Sequence, residues 1–289
     1  MGERLLDAGD GVELCVESFG HTADPTVLLI AGAAQSMVWW EVEFCRRLAD
    51  GGRHVVRYDH RDTGRSSASP AGRPSYSADD LADDPRRILH GLGVAAAHVV
   101  GLSMGGGLAQ VLAVRHPEVV QSLTLVATSP AGPSDGPPLP GPAAQLAAAF
   151  RDPLAEPDWD DRNAVLTYRI DVERPCAGGL GFDEARTRRL AALELDRTTD
   201  MAASLTNHFL LGDAWPAGGV LADIVAPVLV LHGTTDPMFP LEHGHALARL
   251  LPHATLVELP GAGHEQPPPQ LWDLATSAIL RHTGDGSPP

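Results

Sequence analysis

Ser103 stands inside AHVVGLSMGGGLA, residues 97–109, where a β-branched run meets glycines and then a helix-forming stretch. GLSMG fits the pattern GxSxG, which holds a serine on a sharp strand-to-helix turn. Such a turn forces strained backbone angles, so the residues two before and two after the serine must lack side chains. Gly101 and Gly105 supply that room. The Ser103 hydroxyl then projects from the carboxyl end of the strand, and a helix beginning at Met104 aims its first N–H groups at the same spot. The chemistry such a serine can do is nucleophilic attack on a carbonyl, with the resulting anion stabilised in place.

GxSxG alone is a weak signal, and its context strengthens it: Val99-Val100 before it reads as a strand, and Gly106-Gly107 leads into an Ala/Leu/Val-rich helix. A serine hydroxyl also needs a general base, and the base an orienting acid. For a serine on this kind of turn the partners follow in the order Ser, Asp or Glu, His, each past a strand end. Asp236, in VLVLHGTTDPM, lies four residues beyond the run Val228 to His232, and His264 lies in the glycine turn of LVELPGAGHE. Each alone reads as a turn-capping aspartate or a loop histidine; together and in order they predict a catalytic set of Ser103, Asp236 and His264.

An oxyanion hole takes one donor from the residue after the nucleophile, here Met104, and one from the loop after the TVLLI strand. Ala33 in AGAA is the candidate for the second, with Ala34 a neighbour of equal size. Other histidines fit chemistry less well. His243 and His245, two apart on a predicted helix, face different ways and make a poor metal pair. His60, beside Arg61 and Asp62, reads as part of a structural ion and hydrogen-bond cluster, and His232 as the end of a buried strand.

The elements that must position these residues follow from periodicity. Glu3 to Asp7 and Val12 to Ser18 alternate apolar and polar around Gly9-Asp10-Gly11, an antiparallel hairpin at a sheet edge. TVLLI at Thr26 to Ile30, His54 to Tyr58, the Ser103 strand, Ser122 to Ala127, Val228 to His232 and Thr255 to Leu259 read as strands, buried ones being continuously apolar. Between them lie predicted helices at Trp39 to Ala49, Ala78 to Leu92, after Ser103, Leu241 to Leu251 and Leu271 to His282, an alternation that predicts an α/β, doubly wound, mostly parallel sheet. From Ser129 the pattern breaks into SPAGPSDGPPLPGP, and helical stretches follow at Ala143 to Arg151, Trp159 to Ile170, Asp183 to Leu195 and Thr199 to Leu210. The expected organisation is a core of residues 1–131 and 220–289 with a helical cap, 132–219, set into it as a lid.

Composition bounds the partners. The chain has 289 residues, 44% hydrophobic and 20% charged, with a net charge of −16 that argues against nucleic acid or an anionic membrane as partner. All 21 basic residues are arginine, which removes Schiff-base and P-loop lysine chemistry. Cys15, Cys45 and Cys176 are odd in number and far apart, which suggests buried thiols, with neither a disulfide framework nor a zinc site. No cofactor is implied. The charged MGERLLDAGDG start and the lack of a long apolar run lead to the expectation of a soluble cytoplasmic protein, monomer or homodimer.

With these marks in place, the chain resembles the α/β-hydrolase superfamily over nearly its whole length, through the AGAA loop, the Asp59 to Ser66 turn, GLSMGG, HGTTDP and GAGH. Within it, RLADGGRHVVRYDHRDTGRSS and AHVVGLSMG are most similar to the anthracycline (aclacinomycin) methylesterases. Ala33 departs from the second glycine usual in that group's oxyanion loop, and the 132–219 insertion shows no likeness to it. The resemblance implies an eight-stranded α/β-hydrolase fold and a serine esterase working through an acyl-enzyme, on a methyl or other small-alcohol ester of a bulky cyclic acid. A lactonase, a C–C bond hydrolase or a cofactor-free perhydrolase would share the same residues, and a ligand-binding protein of low turnover is the reading from another class. An epoxide or haloalkane hydrolase would carry Asp where Ser103 stands. Trp159, Phe182, Phe209 and Trp215 are the aromatic residues expected to be available for lining the pocket under the lid.

Overall fold

A computed structural model describes residues 2–132, 137–212 and 221–284. Among these, eight strands form one sheet: β1 (Arg4–Asp7), β2 (Glu13–Phe19), β3 (Thr26–Ile30), β4 (His54–Tyr58), β5 (Ala97–Leu102), β6 (Val120–Val126), β7 (Val228–Gly233) and β8 (Ala254–Leu259). Their spatial order is β1-β2-β4-β3-β5-β6-β7-β8. Only β2 runs against the rest: β1 pairs antiparallel with β2 and β2 with β4, and every later pairing is parallel.

The continuously apolar runs are strands covered on both faces, as their composition requires. Successive residues of β3 and β7 point to opposite sides, so Leu28, Ile30, Val228 and Val230 join one apolar cluster while Val27, Leu29, Leu229 and Leu231 join the other. Helices α1 (Val42–Asp50) and α9 (Trp272–His282) cover the second cluster; α2 (Ala78–Gly91), α3 (Met104–Arg115) and α8 (Glu242–Leu250) cover the first. Ser77 and Asp80 form a reciprocal capping box that starts α2.

Between β6 and β7 run α4 (Ala144–Arg151), α5 (Arg162–Glu173), α6 (Glu184–Arg197) and α7 (Met201–Thr206). Asp161 starts α5 by accepting from the N–H groups of Asn163 and Ala164, which is why this helix begins three residues later than its apolar pattern suggests. α7 is also shorter than the predicted Thr199 to Leu210 helix. The chain tightens into a 3₁₀ turn at Asn207–Leu210, where Asn207 donates to Asp62 (2.7 Å) and His208 bonds to the core. Likewise α1 starts at Val42 after a 3₁₀ turn at Met37–Trp39, whose Met37 N–H is held by the Asp59 carboxylate. No described helix is long and apolar enough to cross a membrane. Cys15 and Cys45 are buried and Cys176 half-buried, all as free thiols.

Candidate active site

Every parallel strand opens its carboxyl end onto one edge of the sheet, and the polar residues singled out above collect there. Ser103 links β5 to α3 with φ +51 and ψ −118, a left-handed geometry that costs a non-glycine residue on the order of 1 kcal/mol. The turn is held through its own backbone groups: the Ser103 N–H donates to the Val126 carbonyl oxygen (3.0 Å), and the Ser103 carbonyl accepts from the Thr128 hydroxyl (2.8 Å). A Cβ at Gly101 would lie 2.2 Å from the Gly105 carbonyl oxygen, and one at Gly105 would lie 2.4 Å from that of Ala31. Both positions therefore exclude any side chain.

Asp236, past β7, is buried, and its carboxylate accepts from the N–H groups of Met238 (2.8 Å) and Phe239 (2.9 Å). His264 Nδ1 lies 3.0 Å and 3.2 Å from its two oxygens. A carboxylate can only accept, so Nδ1 carries the proton and Nε2 is left bare. Nε2 faces Ser103 Oγ at 2.9 Å, the arrangement in which a hydroxyl can pass its proton to the ring. Burial works against the charged Asp236, yet the His264 hydrogen bond and charge, with the Phe239 N–H, hold its carboxyl below the ordinary aspartate value. The His264 loop is docked in turn by its own N–H donating to the Cys176 carbonyl (2.8 Å). Gly263 has no room for a Cβ, which would sit 2.3 Å from that same carbonyl oxygen.

The loop after β3 lies across the cavity from His264, and its two alanines differ in their backbone bonding. Ala34, at φ +56, donates its N–H to His208 Nδ1 (3.0 Å), so that donor is already committed. Gly32, Ala33, Ser103 and His264 all line a cavity of about 380 Å³, roofed by Leu146 and Phe150 of α4, Tyr168 and Val172 of α5, and Leu205 and Phe209. Met104 contributes its backbone at the start of α3, while its side chain turns to a different cavity beside Leu108 and Val111. Of the four aromatic residues expected at the pocket, Phe209 lines it. Trp159 stacks edge-on against Tyr168 instead, Phe182 borders a neighbouring cavity beneath Arg174, and Trp215 lies outside the described residues.

Comparison with known proteins accords with this layout. Residues 25–267 match the model of the family described as alpha/beta hydrolase fold. The chain belongs to the α/β-hydrolase family. It is 34% identical over 299 residues to a rhodomycin D methylesterase of Streptomyces peucetius, covering 98% of each chain, and 35% identical to one from Streptomyces sp. strain C5, covering 95% and 96%. Among solved structures, a hydrolase from Pseudomonas aeruginosa superimposes with a TM-score of 0.75 at 26% identity over 98% of both chains.

In this α/β hydrolase several polar side chains around the loop were invisible to sequence reasoning. Arg169 of α5 is fully buried, donates to Glu194 (2.8 Å) and pairs with Glu173. Glu194 accepts from the Ser36 N–H and from Trp39 Nε1, both at 2.8 Å, and Arg197 donates to Asp59 (2.6 Å). On α6 the residues Arg186, Leu190, Glu194 and Arg197 recur at helical spacing, so one stripe of the helix turns its charges inward. His60 is buried and bonds through Nε2 to the Ala31 carbonyl (3.0 Å), a contact to the loop and no part of an ion cluster. His243 is buried against Ser129 and the Pro140 carbonyl while His245 is exposed near Glu258, so the two do face apart.

Proposed function

We propose that this α/β hydrolase is a serine esterase that cleaves a small-alcohol ester, such as a methyl ester, of a bulky cyclic acid. The observation that carries the reading is the run of contacts from Asp236 through His264 to Ser103, with distances of 3.0 Å and 2.9 Å. Ser103 oxygen attacks the ester carbonyl while its proton passes to His264 Nε2. The N–H groups of Met104 and Ala33 hold the oxyanion, and Asp236 stabilises the imidazolium. Collapse of the intermediate transfers the His264 proton to the departing alkoxide, leaving an acyl-enzyme and free alcohol. Water then gives up a proton to His264 as it attacks the acyl carbon, and collapse of that intermediate returns the proton from His264 to Ser103 Oγ, freeing the acid.

Residues 132–219 act in this reading as a cap. Phe150, Val172 and Phe209 are 57%, 39% and 67% exposed, unusual for large apolar side chains, and all three line the cavity over Ser103. An apolar cavity of this size suits a ring-bearing acyl group better than a short chain, since binding grows with apolar area buried. The names of the two Streptomyces relatives point to a methyl ester.

The test joins two measurements. A serine-directed p-nitrophenyl phosphonate should label Ser103 alone, and methyl esters of polycyclic aromatic acids should exceed acetate and butyrate p-nitrophenyl esters in kcat/KM. Label on another residue refutes the nucleophile. A clear preference for acetate refutes the substrate class and leaves the nucleophile standing.

A further inference from the structure

The loop that carries Ala33 is gripped at almost every step. His60 holds the Ala31 carbonyl (3.0 Å), Gln266 donates to the Gln35 side chain (2.7 Å), Glu194 takes the Ser36 N–H (2.8 Å) and Asp59 the Met37 N–H (2.8 Å). Within it Ala34 adopts φ +56, a conformation an alanine keeps only where its surroundings enforce it. The side chain bonded to Ala34 comes from the cap: His208 Nδ1 receives the Ala34 N–H (3.0 Å), and His208 Nε2 lies 2.9 Å from the Arg61 carbonyl oxygen.

We propose that His208 is a positioning residue for the oxyanion hole, locking Ala34 in its left-handed turn so that the preceding Ala33 N–H is presented beside Ser103. The inference rests on the esterase reading above. It makes the cap part of the transition-state machinery rather than a roof alone.

The bonding pattern allows one protonation form. An N–H can only donate and a carbonyl oxygen can only accept, so Nδ1 must be bare and Nε2 protonated. A doubly protonated ring would set one N–H against another. The ring stays neutral because it is buried, packed edge-on against the rings of His60 (5.6 Å) and Tyr76 (6.5 Å), and burial followed by the neighbouring His60 pushes its pKa down to about 4. His208 thus carries the tautomer opposite to that of His264: one ring is bare at Nδ1 to fix a backbone amide, the other bare at Nε2 toward a hydroxyl.

This opposition supplies the experiment. In His208→Asn the amide oxygen falls where Nδ1 stands and can still accept from Ala34. In His208→Gln the amide nitrogen falls where Nε2 stands and can still donate to Arg61, but the acceptor for Ala34 is lost. The expected result is a His208→Asn enzyme within a few fold of wild type and a His208→Gln enzyme down on the order of 10²-fold in kcat with KM little changed, the size of losing one oxyanion donor. The rate of Ser103 phosphonylation, whose P=O oxygen occupies the same hole, should fall in the same proportion, while inhibition by the free acid product should not move. Equal losses in both variants, whether of activity or of folded protein, overturn the proposal, as does a kcat loss without a matching phosphonylation loss. Because phosphonylation needs no ester turnover, a wild type that is labelled at Ser103 yet hydrolyses no ester sinks the substrate reading while the variant ratio still decides the role of His208.

Discussion

The sheet and the helices between β6 and β7 are held together by different physics. In the sheet, β3, β4 and β7 are buried along their whole length, and alternate side chains feed two apolar clusters. Among the described residues between β6 and β7 the largest fully buried side chain is an arginine, and α6 meets the core through Arg186, Glu194 and Arg197 beside a single buried leucine, Leu190. Apolar burial is strong and indifferent to direction; a hydrogen-bonded ion pair has modest net strength but specifies geometry. In the reading proposed above, the sheet supplies stability and the helices between β6 and β7 supply placement.

The sharpest way to separate the two is a change that ruins chemistry and spares both. Asp236→Asn should lower kcat by about 10⁴-fold by favouring the wrong His264 tautomer, with KM and melting temperature nearly unchanged. A variant that stays active would break the link between this pair and catalysis. Next in size, Glu194→Ala removes one of the two carboxylates on the buried Arg169 together with the acceptor of the Ser36 N–H and of Trp39 Nε1, and should cost about 3–5 kcal/mol. Hydrogen exchange should show that loss in α5 and α6 first, with β3 to β7 still protected; uniform loss across sheet and cap would erase the distinction.

A smaller effect is expected at the mouth of the cavity. Phe209→Ala should raise KM for polycyclic esters about 10-fold, in keeping with roughly 1.4 kcal/mol of lost apolar contact, and leave p-nitrophenyl acetate alone. Equal effects on both substrates would mean Phe209 supports the fold and not the ligand.

The gentlest lever is pH. Burial pushes His60 and His208 from 6.5 down to about 4, so the unfolded chain takes up these protons first as the solution is acidified. Their contribution to stability is present above about 6.5 and is lost as pH falls through about 4. Melting temperature should decline across that window, and His208→Asn should flatten the decline by removing one of the two rings. An unaltered slope would place the acid sensitivity elsewhere, for instance in the buried carboxylates.

The same contrast explains what could be read from the chain. TVLLI, HVVRY and the GLSMG turn declare themselves because their cause is local: a run buried on both faces must be apolar, and a turn this tight must be flanked by glycine. Ser103, Asp236 and His264 were legible for the same reason, each sitting in turn chemistry at a strand end. The α6 stripe was not, because charges at helical spacing ordinarily mark a solvated face, and partners far away in sequence, such as Glu41, the Ser36 N–H and Asp59, make these buried ones. Size could not choose between Ala33 and Ala34 either. The ring that takes the Ala34 N–H, His208, lies 174 positions downstream of Ala34.

Between Gly101, Gly105 and Ala31 the Ser103 turn and the loop after β3 touch backbone against backbone, closer than any side chain would permit. The nearest atoms across that gap are carbonyl oxygens, so exchanging a side chain at the pocket wall has little leverage on the spacing. Heritable variation therefore has little purchase on the reaction and ample purchase on the pocket wall, where Phe150, Val172 and Phe209 can each be exchanged singly. Lineages descending from such a protein should diverge in what they accept long before they diverge in what they do, with drift running freely at the rim and stalling at residues such as Glu194 and His208 that reach both parts.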